Sequence, residues 1–296
     1  MVLRMFRVFN HFFQKIFLLL LISSYLYSCT SNGDENPTGF LPALDLFDQS
    51  YGRERIQVLD VYLPAGRSTD ETPLVIYLHG GAWIEGSKEE FTQFRAALSS
   101  ALPDYAFVAI NYSLYNLNNG SNKFPTQQND VIEAINYIQS KSADWNISDQ
   151  LILAGASAGG HLALLHSYKH QRIGNIKAVI AFFPPTDLAK LYDFSLITQL
   201  GLNGLIGGSP QDEADAYAIN SPITYVNSNS PPTIFFHGTS DSVVPISQSE
   251  LLKNSLIEAN VFHSFIKIPN QGHGFTAATY PQLFEQAADF IKIAIN

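Results

Sequence analysis

Cysteine is almost absent: Cys29 is the only one in 296 residues. That excludes an intramolecular disulfide, a cysteine-rich zinc module and an iron–sulfur centre. Charge is sparse as well, with Asp, Glu, Lys and Arg making up 15% of the chain against roughly 25% in average soluble domains. Cations are the scarcer sign, 17 Lys and Arg facing 26 Asp and Glu for a net charge of −9. No nucleic-acid partner is expected from such a balance, because phosphate binding needs a dense cationic face. No internal repeat or low-complexity linker interrupts residues 40–296, so one domain is preferred over two. What the chain has in quantity is apolar side chains, 46% of the total, enough for a sizeable core.

The N-terminus reads as an address. Arg4, Arg7 and Lys15 precede an apolar run from Ile16 to Tyr27, and no acidic residue occurs in residues 1–28. A positive stretch followed by roughly 7–15 apolar residues is the pattern of a secretory signal peptide, and the run is shorter than the ~20 residues a membrane span needs. Leu26-Tyr27-Ser28-Cys29 resembles the bacterial lipoprotein signal, which implies a lipid on Cys29 and attachment to a bacterial membrane, periplasmic or at the cell surface. Residues 29–39 are polar and suit a flexible tether.

Downstream, short and almost uninterrupted apolar runs recur at Leu74–Leu78, Tyr105–Ile110, Leu151–Ala154, Ala178–Phe183 and Thr233–Phe236, with a further strand expected near Val261–Ile268. Runs of this kind suit parallel strands covered on both faces. Between them lie helical spacings: Val131, Ile135 and Ile138 share a face of a helix expected to open at Pro125; Leu252, Leu256 and Ala259 line another; and Phe284, Ala287, Ala288, Ile291 and Ile295 line a last one begun by Pro281. Alternation of this length predicts an α/β fold with a mostly parallel central sheet and helices on both faces. Arg53–Leu63 is expected to supply antiparallel edge strands. Residues 184–231, rich in Gly, Asn, Ser and Pro, are a candidate small cap over a site.

Gly155-Ala156-Ser157-Ala158-Gly159-Gly160 follows one predicted strand and precedes the helical run His161–Tyr168. A serine between glycines on a sharp strand-to-helix turn is lifted to the end of the sheet, and the helix N-terminus behind it favours a developing anion. Ser157 is therefore the candidate nucleophile. His79-Gly80-Gly81-Ala82-Trp83 leaves another strand. Its glycines allow backbone amides to approach a reacting carbonyl, so the amides of Gly81, Ala82 and Ala158 are the candidate oxyanion donors. His79 reads as a hydrogen-bonded structural histidine. The acid and base are sought downstream of the serine. Asp241 lies in the loop after Thr233–Phe236, with Asp187 as the other candidate, and His273 sits between Gly272 and Gly274 in the loop after Val261–Ile268. His161, His166, His170, His237 and His263 are read as non-catalytic. Gly155–Gly160 has neither the glycine order of a dinucleotide site nor the lysine of a phosphate loop. No metal and no cofactor are implied.

Together these segments resemble the α/β-hydrolase superfamily over residues 40–296. Tyr51–Pro64, His79–Trp83, Ser221–Val226 and His237–Pro245 are similar to the carboxylesterase group that holds bacterial acetyl-xylan and feruloyl esterase-like enzymes and borders the hormone-sensitive-lipase type. The resemblance implies a triad of Ser157, Asp241 and His273 acting through an acyl-enzyme. Ala156 stands where the group usually has Asp or Ile. The implied substrate is a small-molecule or polysaccharide-borne ester, with acetyl or feruloyl esters of carbohydrates foremost. A generic short-chain carboxylesterase or lipase, an arylformamidase-like or peptidase-like amide hydrolase, and a non-catalytic scaffold are the alternatives.

Overall fold

Eight strands form one sheet in the order β1-β2-β4-β3-β5-β6-β7-β8. They are β1 Leu44–Ser50, β2 Val58–Leu63, β3 Leu74–Leu78, β4 Ala106–Ile110, β5 Gln150–Ala156, β6 Asn175–Phe182, β7 Thr233–Gly238 and β8 His263–Ile268. β1 and β2 are antiparallel to their neighbours and the rest run parallel. The computed structural model describes residues 40–295. The expected signal peptide, Cys29 and the expected tether therefore lie outside the described residues. Among the described residues no helix is long and apolar enough to cross a membrane.

The unbroken apolar runs follow from burial on both faces. Alternate residues of each central strand feed two cores. Leu74, Ile76 and Leu78, with Leu151 and Leu153, meet Val131, Ile135 and Ile138 of α2 (Thr126–Trp145), Leu162 of α3 (Ala158–Lys169) and Leu252 and Leu256 of α7 (Ser247–Glu258). Val75, Tyr77, Ile152 and Ala154 meet Leu98 of α1 (Thr92–Ala101) and Leu283, Phe284, Ala287 and Ile291 of α8 (Tyr280–Ile295). Every central position is thus inside, which removes the polar alternation that a one-sided sheet would show.

Two expectations are corrected. The antiparallel edge is not confined to Arg53–Leu63, because β1 begins at Leu44, where a half-exposed strand carries a register shift between Leu46 and Gln49. Pro125 caps α2 from outside rather than opening it. Residues 184–231 fold as α4 (Leu188–Tyr192), α5 (Leu196–Ile206), α6 (Ala214–Ile219) and a 3-10 turn Pro222–Tyr225. That turn packs against α3.

Candidate active site

The parallel strands deliver their C-terminal ends to one rim, where open α/β sheets bind ligands. Ser157 comes from the β5–α3 turn, His79–Trp83 from the exit of β3, Asp241 from the loop after β7 and His273 from the loop after β8. Ser157 has φ 52° and ψ −118°, a strained conformation for a residue with a Cβ. The turn is held by Ser157 N–H donating to Phe182 O at 2.9 Å and by His161 N–H donating to Ser157 O at 2.9 Å.

Gly155 and Gly159 make that turn possible by their lack of volume. A Cβ on Gly155 would lie 2.4 Å from the Gly159 carbonyl carbon, and one on Gly159 would lie 2.0 Å from Leu78 O. An alanine in a helix is ordinarily more stable than glycine by up to about 1 kcal/mol. Gly159→Ala is expected to do the reverse here, costing about 3 kcal/mol as α3 is forced off β3. A lower denaturation midpoint at unchanged slope is the expected readout; an unchanged midpoint would refute the packing argument.

The three residues selected from the sequence meet. Ser157 Oγ–H donates to His273 Nε2 at 2.9 Å, and His273 Nδ1–H donates to Asp241 Oδ2 at 2.8 Å. Asp241 Oδ1 accepts from the amides of Val243 and Val244 at 2.9 and 3.0 Å. Burial alone would push the Asp241 carboxyl up. Hydrogen bonds from His237 and His273, attraction to His273 and the Val243 amide outweigh it and hold the carboxyl well below the usual carboxylate range. Asp187 does not take part: it caps α4 through the amide of Lys190.

His237 is the residue the sequence reading missed. It is fully buried, its Nε2–H donates to Val244 O at 2.9 Å and lies 3.3 Å from Asp241 Oδ2, and its Nδ1 is 2.7 Å from Ser249 Oγ. Asp241 is thereby gripped from both sides. The available signal was its place at the end of β7, four residues before Asp241.

Gly81, Ala82 and Trp83 all have positive φ, at 103°, 52° and 62°. The chain after β3 therefore coils tightly, and Gly81 and Ala82 line the same cleft as Ser157 and His273. Ala158 opens α3, so its amide belongs to those a helix leaves without an internal acceptor. His79 supports this loop from beneath. Its Nδ1–H donates to Gly80 O at 2.7 Å, its ring stacks on Tyr112 at 4.2 Å, and the Tyr112 hydroxyl donates to His79 O at 2.9 Å. Burial lowers the His79 pKa to about 4 against the partial opposition of the Gly80 carbonyl. It is neutral at physiological pH and serves as a strut.

The cleft holds about 430 Å³ and is walled further by Glu90, Gln93, Phe94, Phe183 and Tyr280. The Phe183 ring packs 4.6 Å from that of His273. None of residues 184–231 lines it, so the candidate cap contributes no wall to this cleft. A larger depression of about 600 Å³ lies at the far end of α3, around Lys169, His170 and Tyr225, remote from Ser157. His166 and His170 stand one helical turn apart there, a spacing that can serve metal ligation. However, His166 Nε2 faces the Ile173 carbonyl, and among the described residues no three potential ligands converge.

Residues 59–256 match the family model described as BD-FAE. Esterase LipC of Mycobacterium tuberculosis (strain ATCC 25618 / H37Rv) is 27% identical, the match covering 76% of this chain and 58% of the relative. The chain thus spans about three fifths of that relative's length. A solved structure described as a bifunctional GH43-CE of Bacteroides eggerthii superposes with a TM-score of 0.73 at 26% identity, covering 85% of this chain and 38% of that one. A truncated form of a carbohydrate esterase from gut microbiota superposes with a TM-score of 0.72 at 25% identity, covering 85% and 96%.

Proposed function

The chain belongs to the BD-FAE family, and on that premise we propose that it is a serine carboxylic-ester hydrolase acting on acetyl or feruloyl esters of carbohydrates. One observation carries the reading: the continuous hydrogen-bond chain from Ser157 through His273 to Asp241, opening onto a cleft edged by Gly81 and Ala82.

The chemistry is acyl transfer in two steps. Ser157 Oγ attacks the ester carbonyl as its proton passes to His273 Nε2. The carbonyl oxygen becomes an oxyanion facing the amides of Gly81, Ala82 and Ala158. On collapse, His273 returns the proton to the departing alkoxide, so the alcohol leaves neutral and the acyl group stays on Oγ. Water then repeats the sequence with His273 as base, freeing the carboxylic acid and restoring the serine. Asp241 holds the imidazole with its proton on Nδ1 and stabilises its cationic form.

The carbohydrate assignment is supported by the solved neighbours described as a carbohydrate esterase and a GH43-CE. For the acyl side, a second hollow of about 330 Å³ adjoins the cleft, shares Gln93, Phe94 and Tyr280 with it, and is walled further by Phe275 and Phe284. An acetyl group needs only the space beside Ser157, whereas this hollow suits a planar aromatic acyl group.

The test offers acetylated and feruloylated xylans beside a series of p-nitrophenyl esters of rising chain length. Release of acetate or ferulate that vanishes in Ser157→Ala is the expected result. Turnover confined to the short aryl esters would leave a general carboxylesterase and remove the carbohydrate assignment.

A further inference from the structure

Glu90 is an acidic residue in the wall of the Ser157 cleft, and the triad mechanism does not use it. It belongs to the 3-10 turn Lys88–Phe91, which is firmly fixed. The buried Lys88 ammonium lies 2.9 Å from Asp60, 3.0 Å from Asp48 and 3.2 Å from Glu89, and the Lys88 amide donates to Asn111 Oδ1 at 2.6 Å. Glu90 itself receives the Tyr77 hydroxyl on Oε1 at 2.6 Å and the Gly80 amide on Oε2 at 3.2 Å. So held, the carboxylate cannot swing out to solvent.

A carboxylate offers about four acceptor positions, and these two donors leave acceptor capacity towards the cleft. Glu90 and Ser157 line the same cleft, and a Cβ placed on Gly80 between them would lie 3.3 Å from the Ala156 carbonyl oxygen and 3.7 Å from both Glu90 Oε2 and Ser157 Cβ. The carboxylate and the serine thus border one space. No Lys or Arg lines that space, while Glu85 adds a second carboxylate to its wall and Asp241 stands behind His273. A fixed, half-buried negative charge beside a reacting centre attracts hydroxyl donors and repels anions.

We propose that Glu90 is a specificity-determining residue of the cleft, accepting hydrogen bonds from hydroxyl groups on the alcohol portion of the ester and excluding esters that carry negative charge. The assignment rests on the hydrolase reading above and deepens it. The same charge hastens departure of the carboxylate product, which enters the cleft neutral as part of the ester and leaves it as an anion.

The test compares kcat/KM for 4-nitrophenyl butyrate with that for 4-nitrophenyl hemisuccinate, which shares the leaving group and adds one carboxylate. In Glu90→Gln, which keeps the shape and an acceptor oxygen, the preference of the wild type for the neutral ester is expected to fall by about tenfold. Butyrate is expected to inhibit the variant at lower concentration than the wild type. In the wild type alone, the preference is expected to shrink as salt is raised, because screening weakens the repulsion. This arm stands whether or not the variant folds well. A salt effect by itself is shared with Glu85 and Asp241, so two results would overturn the proposal: a wild-type ratio that salt leaves unmoved, or a Glu90→Gln enzyme that slows on both esters in the same proportion and keeps the salt dependence of the wild type. Ser157-dependent turnover with an unchanged ratio removes the role of Glu90 alone. Absence of any Ser157-dependent turnover removes the hydrolase reading and this role with it.

Discussion

Ser157→Ala is expected to lower kcat on short-chain esters by about a million-fold, to the residual rate that binding and the oxyanion amides sustain by themselves. Its hydroxyl is the only nucleophile in hydrogen-bond contact with His273 Nε2 among the described residues, so no neighbouring group can take over. His273→Ala is expected to fall by a similar factor, and the double variant barely further, because the two act as one unit. The fold is expected to survive, since alanine removes one oxygen without adding volume at the turn. Steady-state kcat together with stoichiometric phosphonate labelling checks this. A Ser157→Ala enzyme within tenfold of the wild type, or one still labelled, would end the acyl-enzyme mechanism.

Asp241→Asn is the second large effect, expected near ten-thousand-fold in kcat. The asparagine would be almost isosteric, but one of its ends is a donor. The carboxylate now accepts from His273, from the amides of Val243 and Val244, and from the His237 side. Every neighbour presents a hydrogen, so an amide NH2 must face one of them. Facing His273, it would select the imidazole tautomer with its proton on Nε2, which cannot accept from Ser157.

The lowered pKa of Asp241 also sets a sign for pH. The unfolded chain takes up a proton at this carboxyl near the ordinary value of ~3.9, above the pH at which the folded protein does. The stabilisation from Asp241 is therefore complete above that value and is lost only as pH falls towards the folded pKa. Between neutral pH and the ordinary carboxylate range Asp241 stays ionised. With Asp241 ionised throughout that range, the acid limb of log kcat/KM is expected to have a slope no greater than one and to be reversible. A slope of two would place a second titrating group in the mechanism.

The candidate site was largely legible in the sequence because its parts are local. A glycine-bracketed serine between an apolar strand and an apolar helix, and His79-Gly80-Gly81 at another strand end, announce their backbone geometry in a few consecutive residues. Asp241 and Asp187 each follow a strand, so both stood as candidate acids, while His273 was marked by glycines on either side in the loop after the last strand. β1 was not legible, since Leu44–Ser50 is a half-exposed edge strand whose alternation is broken by its register shift. His237 escaped notice because a histidine at a strand end looks the same whether it is a core filler or the second support of a carboxylate.

Short-range patterns determined the class of chemistry, since a nucleophilic turn and an amide loop depend on glycines and on the strand or helix next to them. The walls of the cleft were decided by packing alone. Glu90 and Phe94 come from one stretch of chain, Phe183 and Tyr280 from two others, and nothing in their own neighbourhoods marks them. Phe94 and Tyr280 reach the cleft because α1 and α8 pack together over one face of the sheet, and Phe183 because it leaves the end of β6. Sequence spacing carries no record of contacts between elements so far apart along the chain.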